Sequence, residues 1–521
     1  MVGESPVAVV AAVDGGRLLC RLAATTAASP PFGIGALLVV PGEERAVLAL
    51  VHALRAGRRG EDEAFAEAQL LGEVEGHAGD FRFRRGVRNH PTLGAPMFAA
   101  SAAIERTVYA VAGSVAVTIG RVRGRAAAPA ALLLEELLGK HFAILGSTGS
   151  GKSSAVAVLL RALVAQCPFA HIVLVDPHAE YGRVFGDRAR VLDARSLRLP
   201  FWLLTFEELA SVLAPGSGRV ADARRAVLED ALRAARLAGC RDEARRLRLT
   251  VDTPIPYRLS DLEGHLRTEM GRLERVDGTA PYRQLLIRLE AVRGDPRYRF
   301  LFPELAVTDD MRTVLADLFR LENDGRRVTV LDTTGMASDV VDVLVSVLCR
   351  LAFDYGLWSP PEHRRPLLLV CEEAHRYVPA DGATGFEPTR RAIDRIAKEG
   401  RKYGIALGLV SQRPSELSAS ALSQCGTLVA MRLTNDRDRS FVENLLPDGS
   451  TWMVRALPAL STGEALIAGE AAPVPMIAQF DPLPEEVRPT SATPRFSELW
   501  CRPPEGAAAL GATIERWRHE T

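Results

Sequence analysis

The chain has 521 residues, of which 47% are hydrophobic and 25% are charged, and its 64 basic residues equal its 64 acidic residues in number. This composition excludes a disordered chain, a collagen-like repeat and a small disulfide-linked scaffold. At about 100–200 residues per domain, the length predicts two or three domains. Because the formal net charge is zero, any binding to nucleic acid has to depend on a local basic patch.

The seven cysteines lie far apart, without CxxC or Cys/His ligand spacing, so neither a zinc site nor a disulfide framework is predicted. The amino-terminal residues lack the charged segment and the cleavage pattern of a signal peptide. The apolar runs are far shorter than the roughly 20 residues that cross a bilayer. We therefore expect a soluble, cytoplasmic protein without a membrane segment.

Residues 1–100 contain short β-rich runs separated by glycine, proline and charged turns. The runs are Val7–Val13, Ala36–Val40, Ala46–Val51 and Leu70–Glu75. This pattern predicts a small antiparallel barrel or sandwich. Residues 101–139, which pass through Val111–Arg123 into an Ala/Leu-rich stretch, are interpreted as a connector.

From residue 140 the sequence alternates short apolar runs with amphipathic segments, which is typical of buried parallel strands joined by helices. The six runs are His141–Leu145, His171–Val175, Val328–Leu331, Pro366–Cys371, Ile405–Ser411 and Thr427–Met431. Residues 205–310 interrupt this alternation with helical periodicity, clearest in Arg224–Leu249 and Pro281–Arg293. The sequence therefore predicts an α/β core in two parts, residues 140–204 and 311–481, with a helical insertion at 205–310. A tail at 482–521 includes a predicted short helix at Gly506–His519.

The strongest motif is a complete GxxxxGK[ST] phosphate-binding loop between an apolar strand and an apolar helix. Glycines let backbone N–H groups turn toward phosphate oxygens, and the helix amino terminus adds its dipole. Lys152 would place a cation on the β- and γ-phosphates of ATP, and the Ser153 hydroxyl would ligate Mg²⁺. The predicted nucleotide-binding residues are Gly146, Ser147, Thr148, Gly149, Ser150, Gly151, Lys152, Ser153 and Ser154.

Two acidic residues, Glu372 and Glu373, follow the buried run Pro366–Cys371. Open α/β sheets bind their ligands at the carboxyl ends of the strands. Glu372 would hold Mg²⁺ through water, and Glu373 would polarise the attacking water. Without the phosphate-binding loop, the same pair would be better explained as the start of a solvated helix.

The run Ile405–Ser411 ends in Gln412, whose amide would sense the γ-phosphate or orient water. A turn-capping role is the alternative. Just upstream, Lys398, Arg401 and Lys402 form a basic segment that contains two of the four lysines in the chain. This segment is either a surface turn or an arginine finger that reaches the nucleotide of a neighbouring subunit.

Taken in order, these segments resemble the HerA family, hexameric DNA-translocating ATPases of the FtsK–HerA group. The matching stretches cover nearly the whole chain and are Lys140–Ser153, Asp176–Tyr181, Glu372–His375, Gly400–Gly404, Ser411–Pro414 and Leu457–Leu466. His90–Gly94 resembles the end of the small β-barrel of the family. The resemblance implies an α/β fold with a RecA-like P-loop NTPase core, an N-terminal HAS-barrel-like domain and a helical bundle inserted into the core.

The resemblance also implies a homohexameric ring around double-stranded DNA, with ATP and Mg²⁺ bound between subunits. Basic residues at the positions of Lys140 and Arg401 reach the nucleotide of the adjacent subunit in the family, and Gln412 matches the sensor position. The barrel would dock a NurA-type nuclease or, in antiphage defence, a sirtuin-like or other effector. DNA-end processing in repair and antiviral defence are both open.

The segment Asp176–Tyr181 would place a carboxylate near the nucleotide or shape a loop that faces a substrate. Arg183, Arg188 and Arg190 follow it, and we expect them to face the pore and contact DNA phosphate rather than bases. ATP at one interface would draw the neighbour's Arg401 and Lys140 onto the γ-phosphate. Hydrolysis would release them, so that the loops gripping DNA shift around the ring.

Two other functions remain open at this stage. One is an ATP-assembled scaffold ring that activates a nuclease partner with little translocation. The other is a conjugation or secretion ATPase of the same superfamily, which the barrel motif and the short apolar runs disfavour. An ABC-type ATPase is disfavoured because no LSGGQ-like segment precedes the acidic strand.

Overall fold

The structure, a computed structural model, divides into two compact units. The first unit comprises residues 1–170, 373–385 and 394–484, and the second comprises 171–372, 386–393 and 485–521. The described residues are 5–23, 32–56, 63–77, 80–109, 115–125, 128–272, 276–302, 309–381, 385–446, 450–490, 497, 500–501 and 507–520.

The amino-terminal strands of the first unit form a closed antiparallel barrel. They are β1 (Ala8–Asp14), β2 (Arg17–Leu22), β3 (Leu37–Val40), β4 (Ala46–Ala56), β5 (Ala64–His77), β6 (Asp80–Arg85) and β7 (Pro96–Ala99). The order β2-β1-β7-β3-β4-β5 is closed by pairing of β5 with β2, and β6 adds to β5 outside the ring. Alternate residues such as Val10, Leu38 and Ala49 fill the interior, as the period of two in a β-strand requires. The sequence left a barrel or a sandwich open, and the structure shows a barrel.

The first unit also contains a seven-stranded sheet in the order β15-β10-β16-β17-β18-β8-β9. Its strands are β8 (Ala116–Val122), β9 (Pro129–Leu133), β10 (Phe142–Leu145), β15 (Ile405–Ser411), β16 (Thr427–Met431), β17 (Glu464–Gly469) and β18 (Met476–Phe480). Strand β10 is parallel to β15 and β16, and the remaining pairs are antiparallel. The three parallel strands are buried along their whole length.

The second unit is built on four parallel strands in the order β12-β13-β11-β14. They are β11 (Ile172–Asp176), β12 (Ala189–Leu192), β13 (Val328–Asp332) and β14 (Leu367–Cys371). The described residues between 205 and 310 contain helices and no strand. The buried Arg236 of this insertion donates to the carbonyl oxygen of Leu204 at 2.7 Å. Arg350 donates to the neighbouring carbonyl of Leu203, also at 2.7 Å, and to the buried carboxylate of Glu208.

Fourteen α-helices occur in the described residues. They are α1 (Ala102–Tyr109), α2 (Leu134–Gly139), α3 (Lys152–Gln166), α4 (Phe206–Leu213), α5 (Arg219–Gly239), α6 (Glu243–Arg246), α7 (Leu259–Gly271), α8 (Ala280–Gly294), α9 (Met311–Phe319), α10 (Ser338–Trp358), α11 (Glu387–Tyr403), α12 (Ala419–Ser423), α13 (Asp436–Leu445) and α14 (Ala507–Glu520). Within the described ranges, none of these helices combines the length and the apolar character that crossing a bilayer requires.

These elements confirm the predicted fold class, an α/β RecA-like P-loop core with an amino-terminal β-barrel and a helical insertion. The structure differs from the expectation at residues 101–139. Strands β8 and β9 lie inside this predicted connector, yet they pair antiparallel and continue the sheet through β18. The reason is that β8 is half solvated and contains Gly120 and Arg121, so the stretch lacks the continuous apolar run of the parallel strands.

His141 makes the stability of the first unit pH-dependent. Its buried ring accepts a hydrogen bond on Nδ1 from the Leu407 N–H at 3.1 Å, and burial lowers the pKa of the imidazole below its ordinary 6.5. Since the unfolded chain then binds the proton more readily, the stabilisation is complete above pH 6.5 and is lost as the pH falls through the lower folded pKa.

In His141→Asn, the Oδ1 atom can accept the same bond, and asparagine tolerates the backbone φ of 56° at this position. As the pH falls, we expect the variant to lose less stability than the parent. The difference in unfolding free energy is at most about 1.4 kcal/mol for each unit by which the pH is lowered. Urea unfolding at neutral and mildly acidic pH measures this difference. His171, whose pKa burial also lowers, would keep part of the acid sensitivity. An equal loss of stability on acidification in both proteins would contradict the assignment of this pH dependence to His141.

Candidate nucleotide and catalytic site

The phosphate-binding loop lies between β10 and α3 in the first unit. Gly151 directly precedes α3 with a φ of 98°, a left-handed conformation that favours glycine. A Cβ at Gly151 would lie 3.1 Å from the backbone nitrogen of Gly463, and one at Gly146 would lie 2.8 Å from the Cβ of Met431. Neighbouring atoms thus approach both glycines too closely for a side chain to fit without a shift. The loop opens directly into the amino terminus of a helix, where backbone N–H groups and the helix dipole favour an anion.

The loop is fixed by neighbouring segments of the same unit. The N–H and the Oγ of Ser147 both donate to the carbonyl of Arg432, at 2.9 and 2.8 Å. Gly463 donates to the carbonyl of Ser150 at 3.0 Å, and Lys152 Nζ donates to the carbonyl of Ser147 at 3.2 Å. The loop is thus preorganised by protein contacts. The Oγ of Ser150 is buried and has no hydrogen-bond partner within the described part of the chain.

Glu373 is held beside this loop by Gln412. Gln412 Nε2 donates to Glu373 Oε1 at 2.6 Å, and Gln412 Oε1 accepts from the hydroxyl of Thr148 at 2.6 Å. The loop, the amide and the carboxylate therefore form one continuous hydrogen-bonded chain. Glu373 is only 7% exposed and has a φ of 51°. Such a left-handed conformation is uncommon for a residue with a Cβ and is found preferentially at functional sites.

His375 contacts the other oxygen of the same carboxylate. Its Nδ1 lies 3.3 Å from Glu373 Oε2 and 3.2 Å from the Oγ of Ser411. Burial lowers the pKa of His375, and the Glu373 carboxylate offsets part of this change. The ring is therefore mainly neutral at neutral pH. The amide of Gln412 donates to one oxygen of the Glu373 carboxylate, and the imidazole lies close to the other.

Lys140 and Arg401 lie at the other edge of the same sheet. Lys140 precedes β10, and Arg401 ends α11 just before β15, whereas the phosphate-binding loop and Gln412 follow these parallel strands. Strand β15 has seven residues, which span roughly 23 Å at 3.3 Å per residue, and the four residues of β10 span roughly 13 Å. Arg401 cannot reach its own loop across β15, and Lys140 cannot reach it across β10. Lys140 forms an ion pair with Glu470, and Arg401 is exposed.

In the second unit the predicted segment Asp176–Tyr181 forms a capped loop. The buried carboxylate of Asp176 accepts hydrogen bonds from the backbone N–H groups of His178, Glu180 and Tyr181 at 3.2, 3.1 and 2.9 Å. Of the two roles predicted for this segment, shaping a loop fits these contacts, because the carboxylate is occupied by its own backbone. The hydroxyl of the buried Tyr181 donates to Glu372, which follows β14.

Two of the three arginines expected to contact DNA already have partners in the chain. Arg190 Nη1 lies 2.6 Å from Asp317 Oδ1, and Arg183 Nε donates to the carbonyl of Arg488 at 3.0 Å. Arg188 is exposed. The expected DNA contact from this loop remains a prediction.

The structure thus brings Glu373 and Gln412 to the loop that carries Lys152, and it separates Lys140 and Arg401 from them. Ser153 and Ser154 lie in the first turn of α3, with Ser154 exposed. Sequence reasoning missed three contacting residues: His375, Arg432 and Tyr181. The first and last lie inside motifs already singled out, but a motif alone does not say which side chain faces the carboxylate.

Ser153 and Glu372 are the residues predicted to hold Mg²⁺. A serine hydroxyl and a carboxylate held through water are hard oxygen donors, which Mg²⁺ prefers together with phosphate oxygens. Ser153 lies in the amino-terminal turn of α3 in the first unit, and in the second unit Glu372 accepts a hydrogen bond from the hydroxyl of Tyr181. Each side chain is an oxygen donor of the kind that Mg²⁺ prefers.

The chain is similar to known proteins over most of its length. Residues 117–352 match the family described as the central domain of the helicase HerA. The chain is 26% identical over 464 residues to the DNA double-strand break repair helicase HerA of Pyrococcus furiosus, covering 80% of this chain and 78% of that protein. It is also 26% identical over 385 residues to a probable helicase of Methanocaldococcus jannaschii, covering 70% of each. Among solved structures, VirB4 of Thermoanaerobacter pseudethanolicus aligns with a TM-score of 0.47 and 17% identity, covering 72% of this chain and 98% of that one.

A complete phosphate-binding loop, a buried glutamate joined to it through an amide, and matching relatives over most of the length all agree. The chain is therefore similar over most of its length to helicases named HerA, and its residues 117–352 match the central domain of that family.

Proposed function

We propose that this ATPase is a double-stranded DNA translocase that works as a ring of six copies. The observation that carries the proposal is the separation of the basic residues from the phosphate-binding loop. Lys140 and Arg401 lie at the amino edge of the parallel strands, and Lys152, Gln412 and Glu373 lie at the carboxyl edge. A second copy that turns its amino edge toward this loop would complete the site, which is the arrangement of a head-to-tail ring.

Hydrolysis follows from groups of the first unit. The backbone of the loop and Lys152 bind the β- and γ-phosphates, and Glu373 accepts a proton from the attacking water. Gln412 orients that water while it keeps Glu373 in position. Ser153 and Glu372 are the residues proposed to hold Mg²⁺, which would neutralise charge on the phosphate oxygens.

Coupling to movement follows from the ion pair of Lys140. In the isolated chain Lys140 pairs with Glu470, so its arrival at a neighbour's γ-phosphate requires that pair to open. Hydrolysis removes the phosphate charge and lets the pair form again. Each subunit interface would therefore alternate between a tight and a relaxed state, and this alternation would move the DNA-gripping loops.

The relatives support the choice of DNA as the substrate, because one is named as a double-strand break repair helicase. We further propose that a nuclease or another effector docks on the amino-terminal barrel, for DNA-end processing or antiphage defence. The closed barrel has its own hydrophobic core, so it can present a docking surface that does not change with each ATP cycle.

The test is the mass of the purified chain and its ATPase rate, with and without duplex DNA. We expect six copies in the presence of a slowly hydrolysed ATP analogue, and a DNA-dependent increase of several-fold in the ATPase rate. Lys152→Ala is the control, since it should abolish hydrolysis. A scaffold ring would assemble but would show no stimulation by DNA and no strand or roadblock displacement. A chain that stays monomeric with nucleotide and DNA would contradict the proposal.

A further inference from the structure

Tyr181 has no solvent exposure, and its hydroxyl donates to the carboxylate of Glu372. Glu372 is itself only 6% exposed. A buried tyrosine needs a partner for its hydroxyl, and a buried carboxylate needs donors to retain its charge. The pairing meets both requirements in one contact, inside the second unit.

The loop that carries Tyr181 is rigid on its inner side. Asp176 Oδ2 accepts from the N–H of Tyr181 itself, at 2.9 Å, while Oδ1 accepts from two residues earlier in the loop. The carbonyl of Asp176 also accepts from the N–H of Thr333 at 3.0 Å. The backbone of Tyr181 is therefore fixed relative to the end of β11.

The outer side of the same loop is covered by residues that follow position 485. Thr490 donates from its N–H to the carbonyl of Glu180 at 2.9 Å, and from its Oγ1 to the carbonyl of Ala179 at 3.2 Å. Arg183 Nε donates to the carbonyl of Arg488 at 3.0 Å. Ala179 has a φ of 53°, a conformation that non-glycine residues keep only when their surroundings enforce it. Two sets of contacts thus hold a strained loop around one buried hydroxyl.

We propose that Tyr181 is a positioning residue that orients the Glu372 carboxylate toward Mg²⁺. The hydroxyl fixes the rotation of the carboxylate about its terminal bond and so determines which oxygen faces the hydrated ion. Fixing a ligand through its outer partners commonly changes metal affinity by about 10-fold or more. The inference rests on the proposed role of Glu372 in holding Mg²⁺.

The experiment compares Tyr181→Phe with Tyr257→Phe in the full chain. Both tyrosines are fully buried in the second unit, but the Tyr257 hydroxyl has no hydrogen-bond partner in the part of the chain that the structure describes. Each substitution removes one buried hydroxyl and leaves the ring. Glu372→Gln is the reference for loss of the carboxylate.

The main readout is binding of a fluorescent, non-hydrolysable ATP analogue with Mg²⁺ and with EDTA. We expect the gain in affinity due to Mg²⁺ to fall by roughly 3- to 10-fold in Tyr181→Phe and in Glu372→Gln, with little change in EDTA. The Mg²⁺ concentration for half-maximal ATPase rate should rise in Tyr181→Phe. Tyr257→Phe should behave as the parent in each measurement.

The outcomes separate the inference from the proposed function. If Glu372→Gln reduces the Mg²⁺ effect and Tyr181→Phe does not, the role of Tyr181 is wrong and that of Glu372 stands. If neither variant reduces it, both assignments are wrong. Should Tyr181→Phe fail to fold, Thr490→Ala decides the question, because it loosens the same loop from its outer side. A smaller reduction in the same direction supports the inference, and an unchanged Mg²⁺ effect overturns it.

Discussion

Glu373→Gln is expected to lower the ATPase rate by about 100-fold or more while ATP binding is retained. A general base typically raises the reaction rate by about 100- to 10,000-fold. Glutamine cannot act as this base, because it does not accept the proton of the attacking water. The substitution keeps an oxygen at Oε1 that can still accept from Gln412 Nε2, which lies 2.6 Å from the carboxylate. Steady-state hydrolysis and equilibrium binding of labelled ATP measure the two properties separately.

The control for this substitution is Glu443→Gln, which makes the same chemical change on the exposed face of α13. It should leave both properties unchanged. A Glu373→Gln variant that keeps more than a tenth of the parental rate would show that another group activates the water. Loss of ATP binding would instead indicate that the hydrogen bonds from Thr148 through Gln412 to Glu373 support the phosphate-binding loop itself.

Arg401→Ala and Lys152→Ala are each expected to be inactive alone, and a mixture of the two chains is expected to recover part of the activity. An arginine finger is worth on the order of a thousand-fold in rate, and Arg401 cannot supply it to its own loop across the length of β15. In a mixed ring, an intact loop from one chain meets an intact Arg401 from the other at about a quarter of the head-to-tail interfaces. Co-expression with two different tags, followed by an ATPase assay, measures the recovery.

The matched control pairs Lys152→Ala with the double variant Lys152→Ala/Arg401→Ala. This mixture contains no intact loop, so it must remain inactive even though its rings assemble. Lys140→Ala should behave as Arg401→Ala does, with a smaller defect, since Lys140 also pairs with Glu470. If the first mixture shows no recovery although mixed rings are isolated, the basic residues act within one chain and the ring proposal loses its main support.

The parallel strands other than β12 were the easiest elements to predict. Each of these six reads as an apolar run because it is buried along almost its whole length, and β14 and β15 begin within one residue of the predicted runs. Strands β8 and β9 were missed. β8 contains Gly120 and two exposed residues, and β9 begins with a proline followed by two alanines, so neither gives such a signal. Strand β12 was also missed. Only Leu192 of its four residues is buried, so the sequence at Ala189–Leu192 does not distinguish it from a loop.

Within the candidate site, the chemistry was predicted from local stretches of sequence. The spacing of the glycines, Lys152 and Ser153 is a local property, since it depends on a loop that opens into a helix, and the acids and Gln412 follow recognisable strands. Which of these groups meet depends on the tertiary structure. Gln412 bridges Thr148 and Glu373 because β10 and β15 are parallel and end at the same edge of the sheet. Lys140 pairs with Glu470 because the antiparallel strand β17 ends beside the start of β16. Hydrogen bonds and ion pairs act over a few ångströms, so the partners of each side chain depend on which strands are neighbours, and that order is set by packing of the whole core.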